Sequence, residues 1–594
     1  MSALLLTGFS FAQKIYYNVS FPNIAHHEAR ITVEVTGAKA SVLTFRMSRS
    51  SPGRYATHEF GKNVYDVSAT DGAGYPLTVK RTEGDVYEVS GVKGLAKLSY
   101  TLFGNYADGT YAGIDPSGIH LNMPAAFMWV KGYDNAPVEI DFDLPDPNFS
   151  IATQLKPGKT KTNFSAPNLQ YFMDSPTKIG TLHWRQWTVS NNGKQIQMRI
   201  ALEAKASDAG VDSLTDLVKK ITDQASKVFG EYPAYDYGTY TFLASINPYV
   251  KGDGMEHRNS TMITLPMEFT SNPDALEVFA HEYFHCWNVE RIRPKTLEPF
   301  NFEHSNMSNE LWCAEGFTQY YGQLLMVRAG AETDTSFGRV VNGFINAKAN
   351  TPGGTLYTPI QSSNMAVFTD AGRSIDVTNF GNIFTSYYVY GASVALALDL
   401  TLRSQFNSSL DKFMQEMWKR HGKPEHAYTV ADMQNALAAI TNANFAKDFF
   451  SKYVYGKQVP DYKTLLSNAG MELRSVGAGK AWIGNLFRAQ ERGGVVMPAA
   501  TRNTPLYDAG LDADDVITSL DDQPVRTNAD LAKIVAAHAP GQTLKIGYTH
   551  RGAEKTSTIQ LKENPAYAVV TYEAAGKPVT ASIVSFRKNW LGAK

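Results

Sequence analysis

The sequence predicts a multidomain α+β protein, because the chain is long and its pattern changes twice along its length. A chain of 594 residues is too long for one core, and a content of 43% apolar residues can build several. Residues 13–204 show strands and turns, residues 205–474 are mostly helical, and residues 475–594 change character again. We therefore expect three or four folded domains in this order.

Residues 13–204 are predicted to form an N-terminal β-rich domain. Apolar and polar residues alternate at positions 31–35 (I-T-V-E-V) and 86–89 (V-Y-E-V), as in half-buried strands. Turn sequences recur between such segments, with D-G at 71–72 and 108–109 and N-G at 192–193. Helical periodicity is scarce in this region, which favours an all-β arrangement.

Residues 1–12 resemble the apolar part of a signal peptide that ends in the small-x-small sequence S-F-A at 10–12. The basic segment that normally precedes such a stretch is missing, which indicates a truncated start. The sequence therefore predicts an exported protein, either periplasmic or secreted.

The charge of the chain is nearly balanced. Lys and Arg total 56 against 57 Asp and Glu, so the net charge is −1. Nothing in this balance favours binding to nucleic acid or to an anionic membrane surface. We also find no apolar run that predicts a transmembrane segment.

The most informative segment of the helical region is the run H-E-Y-F-H at residues 281–285. Residues four apart share one face of a helix, so His281 and His285 can present two imidazoles to one metal ion. Glu282 lies beside the first of them, where its carboxylate can reach a water molecule on that metal. Pro273 suits the first helical position and Pro294 ends the segment. This pattern is typical of zinc peptidases. The alternative interpretation of the same five residues is a buried helix whose two histidines form hydrogen bonds and bind no metal.

A catalytic zinc site needs a third protein ligand, and Glu315 is our first candidate. It lies in a segment where Ser308 or Asn309 can cap a second helix that ends near Gly330. A loop between two antiparallel helices would bring Glu315 opposite the histidines. Glu310 is the second choice as third ligand. We favour another role for it, that of a solvated carboxylate in the first turn of the helix, where its charge complements the helix dipole. Other downstream carboxylates fall in or near an Arg- and Pro-rich connection: Glu290, Glu298 and Glu303.

These motifs resemble the gluzincin metallopeptidases, such as aminopeptidase N, and in particular the glycyl aminopeptidase family. The resemblance rests on H-E-Y-F-H-C-W-N-V-E-R-I-R-P at 281–294 and W-C-A-E-G-F at 312–317, and it extends over most of the chain. It implies a thermolysin-like zinc peptidase domain at residues 205–474, preceded by a β-saddle domain that walls one side of the active site. It also implies one Zn2+ ion per chain, held by His281, His285 and Glu315.

The sequence G-D-G-M-E-H at 252–257 resembles the G-x-M-E-N motif of aminopeptidase N relatives, whose Glu binds the substrate α-amine. The corresponding residue is Glu256, and His257 replaces the Asn, a change that the glycyl aminopeptidases share. A buried carboxylate distinguishes a terminal ammonium from an internal amide, because a blocked peptide leaves it without a partner. Gly252 and Gly254 allow the backbone to approach a substrate closely. The alternative is a surface turn with an incidental Glu.

The segment S-Y-Y-V-Y-G at 386–391 precedes an apolar helix predicted for residues 392–402. Related aminopeptidases have Y-x-x-G at the start of such a helix, and the Tyr donates a hydrogen bond to the oxyanion of the transition state. The match in this sequence is Tyr388, three residues before Gly391. Tyr387 and Tyr390 are close rivals, although packing is the commoner role of tyrosines in such a cluster.

The C-terminal residues 475–594 resemble a PDZ domain. The run A-G-L-D-A-D-D-V-I at 509–517 is similar to the PDZ sequence A-G-L-x-x-G-D-x-I, with Asp514 in place of the usual Gly. Residues 531–537 would form the late helix and residues 543–548 a closing strand, with the peptide-end loop near Trp482, Ile483 and Gly484. PDZ domains bind extended chains at a sheet edge, so a peptide or protein ligand is expected for this domain.

Together these features predict a zinc-dependent aminopeptidase that hydrolyses peptides with a free N-terminus by metal-activated water. Glu282 and Tyr388 would be catalytic, while Gly254 and Glu256 would bind the substrate. A preference for N-terminal Gly or Ala is implied by the resemblance alone. Two alternatives stay open: a zinc endopeptidase or dipeptide-releasing peptidase, and a non-catalytic PDZ-type peptide-binding protein with a vestigial metal site.

The sequence has only two cysteines, Cys286 and Cys313, and each lies beside a ligand motif. A disulfide between the two proposed zinc helices and a pair of buried free thiols are both compatible with the sequence.

Overall fold

A computed structural model of the protein describes residues 13–270, 273–370, 379–484, 488–489, 494–496 and 501–592. The predicted signal peptide at residues 1–12 lies outside the described residues. The described chain has a β-rich N-terminal part, a largely helical middle part and a C-terminal part built on a small sheet. The predicted multidomain α+β class is confirmed.

The N-terminal domain is built on two sheets. Its strands are β1 (Lys14–Asn23), β2 (Glu28–Ala38), β3 (Val42–Arg46), β4 (Val64–Asp71), β5 (Pro76–Glu83), β6 (Val86–Ser90), β7 (Gly94–Phe103), β8 (Ala112–Asp115), β9 (Gly118–Leu121), β10 (Trp129–Val130), β11 (Val138–Phe142), β12 (Ser150–Thr153), β13 (Lys156–Pro157), β14 (Asn163–Ala166) and β15 (Thr177–Gly180). Two short helices accompany them, α1 (Met123–Ala126) and α2 (Leu169–Met173). The large sheet has the order β10-β3-β6-β5-β4-β7-β2-β1-β11-β14-β13, and the small one has the order β12-β15-β9-β8.

Alternating hydrophobicity explains the large sheet. Along β2, Ile31, Val33 and Val35 are fully buried, while the residues between them keep partial exposure. The period of two therefore places one face of the strand on the core and the other near solvent. Segments 31–35 and 86–89 lie in β2 and β6, as their alternation predicts.

The catalytic domain combines a mixed sheet with a helical layer. Its strands are β16 (His183–Asn191), β17 (Lys194–Ala204), β18 (Thr239–Ile246), β19 (Asp253–His257) and β20 (Ser260–Leu265), in the spatial order β16-β17-β18-β20-β19. Its helices are α3 (Asp208–Phe229), α4 (Pro273–Phe284), α5 (Leu311–Ala314), α6 (Gly316–Arg328), α7 (Asp334–Asn350), α8 (Pro352–Leu356), α9 (Pro359–Asn364), α10 (Ala366–Thr369), α11 (Phe380–Ile383), α12 (Tyr387–Gln405), α13 (Leu410–Met417), α14 (Val430–Ile440), α15 (Ala443–Tyr453) and α16 (Tyr462–Ser467).

Strands β16 and β17 belong to this mixed sheet, although the sequence placed them in the N-terminal domain that ends at residue 204. Strand β17 pairs in parallel with β18, from Gln197 opposite Thr239 to Ala204 opposite Ile246. An alternating strand looks the same in sequence whichever sheet it joins, so its pattern could not fix this boundary. The last strand of the two N-terminal sheets, β15, ends at Gly180, and β16 of the mixed sheet begins at His183.

Helices α4 and α6 form the centre of the catalytic domain. Helix α4 begins at Pro273, as predicted. The second predicted helix is interrupted, since α5 ends at Ala314 and α6 begins at Gly316. The chain turns away after α6 at Gly330, whose φ of +75° suits glycine. Phe284 of α4 stacks on Tyr321 of α6 with ring centroids 4.4 Å apart, so the two helices are packed through aromatic rings.

The C-terminal part contains a small domain that is inserted between two paired strands. The elements are β21 (Met471–Ser475), β22 (Ala481–Trp482), β23 (Arg488–Ala489), β24 (Val495–Val496), α17 (Pro505–Asp508), β25 (Val516–Leu520), β26 (Gln523–Pro524), α18 (Asn528–Ala536), β27 (Thr543–His550), β28 (Ala553–Gln560), β29 (Lys562–Glu563), β30 (Tyr567–Thr571) and α19 (Ala581–Leu591). Helix α18 and strand β27 overlap the predicted late helix and closing strand. Asp514 adopts φ +66°, a conformation that favours glycine and that Asp tolerates better than most residues.

The last described residues return to the catalytic domain, although all of residues 475–594 were predicted to belong to the C-terminal domain. Strand β30 pairs with β21, and Trp590 is fully buried in the core of the helical domain. The Trp590 indole N–H donates to the Tyr320 hydroxyl at 2.7 Å. The periodicity of the sequence cannot predict this packing of the C-terminal residues on the helical domain, because the packing depends on contacts between distant segments.

One segment of the described chain, Phe380–Gln405, is long and apolar enough to cross a membrane. Its most apolar window is 78% buried inside the protein, and α12 within it packs against α6 and α7. Such burial is typical of a core helix.

Candidate active site

The structure brings the three predicted metal ligands together. His281 lies on α4, His285 follows its last residue, and Glu315 lies between α5 and α6. The Nε2 atoms of the histidines are 3.2 Å apart, and Glu315 Oε2 is 3.6 Å from His281 Nε2 and 3.2 Å from His285 Nε2. Donors that bind one tetrahedral zinc ion at about 2.0–2.2 Å lie about 3.3–3.6 Å apart. The triangle of donor atoms therefore fits zinc.

Neighbouring groups orient the ligands. The Nδ1–H of His285 can donate to the Asn288 carbonyl at 2.7 Å, which leaves Nε2 free to face the metal position. The Asn288 amide donates in turn to the carbonyls of Cys313 and Ala314, both at 3.0 Å. Asn288 therefore ties the histidine segment to the segment that precedes Glu315.

A hydroxyl from the N-terminal domain completes this arrangement. Tyr55 donates to Glu315 Oε1 at 2.8 Å, while Oε2 of the same carboxylate faces the histidines. Tyr55 and Glu315 are both buried. Tyr55 was not predicted from the sequence, because nothing in its local pattern distinguishes it from other buried tyrosines.

Charge is concentrated in this buried site. Burial lowers the pKa of His285, but the carboxylates of Glu315 and Glu256 outweigh that effect and raise the pKa to about 10. Burial opposes ionisation of Glu315, yet His285 and His281 hold its pKa well below the usual range. The ligand carboxylate is therefore ionised, which is the form that binds a cation.

Glu282 is buried beside the ligands. Its Oε2 atom has no hydrogen-bond partner among the described residues. Burial raises the pKa of this carboxyl well above its usual value, with smaller contributions from nearby Glu256 and Glu315. An unpartnered buried carboxylate is costly, so it marks a place where another group is expected to bind.

Strand β19 presents both predicted substrate-binding residues to this site. Glu256 is buried, and it lies with Glu282 and His285 in a group whose ligand atoms are all within 4.8 Å of one another. Burial, together with Glu315, raises the pKa of Glu256 to about 7, although His285 opposes the shift. Gly254 lies against Glu282, because a Cβ atom at position 254 would be 2.2 Å from Glu282 Oε1. His257 points elsewhere, with Nδ1 2.9 Å from Asp174 Oδ1.

Among the three rival tyrosines, Tyr388 has a ring contact with a predicted metal ligand. Its ring stacks on that of His281 at a centroid distance of 6.0 Å. The Tyr387 hydroxyl donates to Asp370 Oδ1 at 2.9 Å, and the Tyr390 hydroxyl donates to the Tyr357 carbonyl at 3.0 Å. Burial raises the pKa of Tyr388 well above 10, so its hydroxyl keeps its proton. The geometry therefore favours Tyr388 as the donor.

The rival carboxylates have other partners. Glu310 is buried, so the solvated role that we favoured for it is wrong: its carboxylate accepts from the Val430 amide at 3.0 Å and from the Ser308 hydroxyl at 2.6 Å. It caps the start of α14, which the sequence could not reveal. The other carboxylates in or near the Arg- and Pro-rich connection after the histidine motif form ion pairs with arginines. Glu290 and Glu298 pair with Arg293, and Glu303 pairs with Arg46.

Both cysteines are buried free thiols. Burial raises the pKa of Cys286 to about 12 and shifts that of Cys313 upwards as well. Protonated thiols are poor nucleophiles and poor metal ligands, so these residues act as small core side chains.

Comparison with known proteins identifies the family. The model described as M61 glycyl aminopeptidase matches residues 274–394, and that of the peptidase M61 N-terminal domain matches residues 16–181. The chain belongs to the M61 glycyl aminopeptidase family. Membership makes the protein a metallopeptidase and implies zinc, which agrees with the donor triangle. The PDZ domain model matches residues 481–561 of this M61 chain, which confirms the predicted C-terminal PDZ domain.

A solved structure shares the fold of this M61 protein. An aminopeptidase N family protein from Idiomarina loihiensis is 22% identical, with a TM-score of 0.81 over 94% of this chain and 98% of that chain. An M1 zinc metallopeptidase from Deinococcus radiodurans is 14% identical, with a TM-score of 0.46 over 76% of this chain and 95% of that chain.

A curated relative of the M61 chain is the serine protease Do-like HtrA from Lactococcus lactis, which is 33% identical over 130 residues. That match covers 22% of this chain and spans only 29% of the relative.

Proposed function

We propose that this zinc peptidase is an aminopeptidase that removes small N-terminal residues, Gly or Ala, from peptides. The observation that supports the exopeptidase activity most is the position of Glu256, a buried carboxylate in one cluster with Glu282 and His285. A substrate ammonium bound there would place the first peptide bond beside the metal ligands. The preference for Gly or Ala is supported by family membership alone.

His281, His285 and Glu315 would hold one zinc ion per chain. Zinc bound by such a set supplies a Lewis acid that activates water and polarises the substrate carbonyl. The chain's own residues fix the donors in place: the Asn288 carbonyl orients His285, and Tyr55 engages the second oxygen of Glu315.

Glu282 is proposed as the general base. Its unpartnered Oε2 would take a proton from the attacking water and later give it to the leaving amine. The raised proton affinity of this buried carboxyl supports both transfers, because the group must hold the proton between the two steps.

Tyr388 is proposed as the donor to the oxyanion that develops on the substrate carbonyl. A hydroxyl that stays protonated in a buried site donates without reorganisation of solvent. On the same substrate residue, Glu256 would bind the α-ammonium, and Gly254 would leave room for the base.

Two further proposals concern the setting of the enzyme. We propose that the protein is exported, periplasmic or secreted, on the basis of the sequence of residues 1–12; fractionation of cells that express the chain tests this. We also propose that the PDZ domain binds a peptide or protein ligand in a groove of about 690 Å³. Residues 479–484 line one side of it and α18 the other, and its apolar lining includes Ile483, Leu531 and Val535.

Hydrolysis of a matched set of aminoacyl anilides tests the proposed activity. The purified enzyme should cleave Gly- and Ala-anilide faster than Leu-anilide, lose activity with a chelator and regain it with zinc. Faster cleavage of Leu-anilide would contradict the small-residue preference. Activity that survives complete metal removal would contradict the mechanism.

A further inference from the structure

We propose that Tyr55, a residue of the N-terminal domain, is a positioning residue for the metal ligand Glu315. The zinc site would then be complete only when the N-terminal domain is docked on the catalytic domain. This inference rests on the ligand set proposed above.

The first support is that the two carboxylate oxygens of Glu315 face different partners. Oε1 accepts the Tyr55 hydrogen bond at 2.8 Å, and Oε2 is the oxygen that faces His281 and His285. A buried carboxylate without a second partner can rotate or present either oxygen. A donor on one oxygen fixes the other towards the metal position, as neighbours of metal ligands commonly do.

The second support is the packing of the Tyr55 ring. It lies in a small buried cluster whose other members all come from the catalytic domain: Val289, Leu297, Leu311, Ala314, Ala366 and Tyr387. Val289 follows the histidine motif, and Leu311 and Ala314 precede Glu315 in the chain. The ring is therefore packed in one cluster with residues of both segments that carry the metal ligands, and this packing restricts its hydroxyl.

Polar contacts hold the backbone of Tyr55 in place. Its amide N–H donates to Asp370 Oδ2 at 3.0 Å, and the other oxygen of Asp370 accepts from the Tyr387 hydroxyl at 2.9 Å. The Tyr55 and Tyr387 rings meet edge to face at 6.3 Å. Tyr387 thus acts through Asp370 on the segment that reaches Glu315.

The rest of the segment 51–55 is fixed on β19. Arg54 forms an ion pair with Asp253, and its Nε–H donates to Thr110 Oγ1 at 3.0 Å. Thr110 donates to the other Asp253 oxygen at 3.0 Å. Gly53 comes so close that a Cβ atom would lie 2.6 Å from Glu256 Oε2. One segment of the N-terminal domain therefore contacts the strand of the substrate carboxylate and a metal ligand.

A coupling between zinc affinity and domain docking follows from these contacts. If the docked segment orients Glu315 for zinc, then bound zinc must stabilise the docked segment by the same free energy. The hydroxyl of Tyr55 touches a proposed metal ligand directly, so it is the place to test the coupling.

The test compares the zinc affinities of Tyr55→Phe, the wild type and Tyr100→Phe by competition with a chromophoric chelator. Tyr100 is a matched control, because its buried hydroxyl lies in the same domain and donates to the Ala126 carbonyl at 2.9 Å. Loss of a group that orients a metal ligand typically weakens metal binding about 10- to 100-fold. We expect that loss for Tyr55→Phe only, and wild-type affinity for Tyr55→Phe would overturn the inference.

His281→Ala separates this inference from the proposed ligand set. If His281→Ala keeps tightly bound zinc, the ligand set itself is wrong. If His281→Ala loses zinc and Tyr55→Phe keeps wild-type affinity, only the role of Tyr55 fails.

Amide hydrogen exchange decides the matter if Tyr55→Phe does not fold. In the wild type, residues 51–55 should exchange faster after zinc is removed with a chelator. Exchange that stays the same in this segment would overturn the coupling.

Discussion

Gly254 lies directly against Glu282: a Cβ atom at position 254 would be 2.2 Å from Glu282 Oε1 and 2.8 Å from its Cδ. The strand that carries Glu256, the proposed substrate carboxylate, thus also leaves the space for the proposed base. Glycine permits this close approach because it has no Cβ atom.

Replacing Gly254 with Ala should displace the Glu282 carboxylate. A misplacement of about 1 Å in a catalytic group can cost about 10²-fold in rate, so kcat should fall on that scale while zinc stays bound. Gly252→Ala is the matched control, since its Cβ would lie 3.4 Å from Pro266 Cδ, an ordinary contact. Steady-state kinetics and metal analysis check this, with Glu282→Gln as the reference for a lost base. Equal kcat values for the two alanine variants would contradict it.

Gly53→Ala should strain the backbone at position 53 and also weaken substrate binding. Gly53 has φ +76°, and an added Cβ would lie 2.2 Å from Met255 Sδ and 2.6 Å from Glu256 Oε2. Gly74 has a similar φ of +89° with open space around its Cβ, so Gly74→Ala isolates the backbone effect. Both variants should lose about 1–2 kcal/mol of unfolding free energy. Only Gly53→Ala should also raise KM for substrates with a free amine, and an unchanged KM would count against the position of Glu256.

Tyr388→Phe should lower kcat more than it raises KM. Loss of one oxyanion donor typically costs about 10²–10³ in kcat, roughly 3–4 kcal/mol, because the bond strengthens in the transition state. Tyr390→Phe is the control, since the Tyr390 hydroxyl contacts Lys348 and the Tyr357 carbonyl. If Tyr390→Phe or Tyr387→Phe shows the large loss instead, the donor has been assigned to the wrong tyrosine.

Glu315→Ala and Glu310→Ala should separate metal binding from stability. Glu315→Ala should lose bound zinc and activity, because one of three donors is gone. Glu310→Ala should keep zinc, but it leaves the buried Val430 amide without its acceptor. Such a group costs about 1–3 kcal/mol of unfolding free energy. Metal analysis and denaturant unfolding measure the two effects, and zinc loss in Glu310→Ala alone would reverse our ligand assignment.

The grouping of the three candidate metal ligands was predictable, because the sequence signals lie close together in the chain. His281 and His285 follow helical spacing, and Glu315 lies between α5 and α6, the next two α-helices of the chain. The start of α4 at Pro273 followed from the same rules. Glu256 and Tyr388 required the resemblance to a family, since a lone Glu or Tyr carries no signal of its own.

The contacts across the domains were not predictable. Tyr55 and Glu315 are 260 positions apart, and no periodicity in either segment refers to the other. The same reason explains why the sequence did not show that β16 and β17 pair into the mixed sheet, and why the return of Trp590 was missed. The burial of Glu310 was also missed, because its partner amide belongs to Val430 of a distant helix.

The rate ratio between a free and a blocked N-terminus tests the central claim most directly. We would measure kcat/KM for Gly-anilide and N-acetyl-Gly-anilide with the zinc-loaded wild type and with Glu256→Gln. The blocked substrate has no ammonium for the buried Glu256 carboxylate, so the wild type should strongly prefer the free one, and Glu256→Gln should discriminate much less. Equal wild-type rates on the two anilides would contradict the aminopeptidase account and favour an endopeptidase.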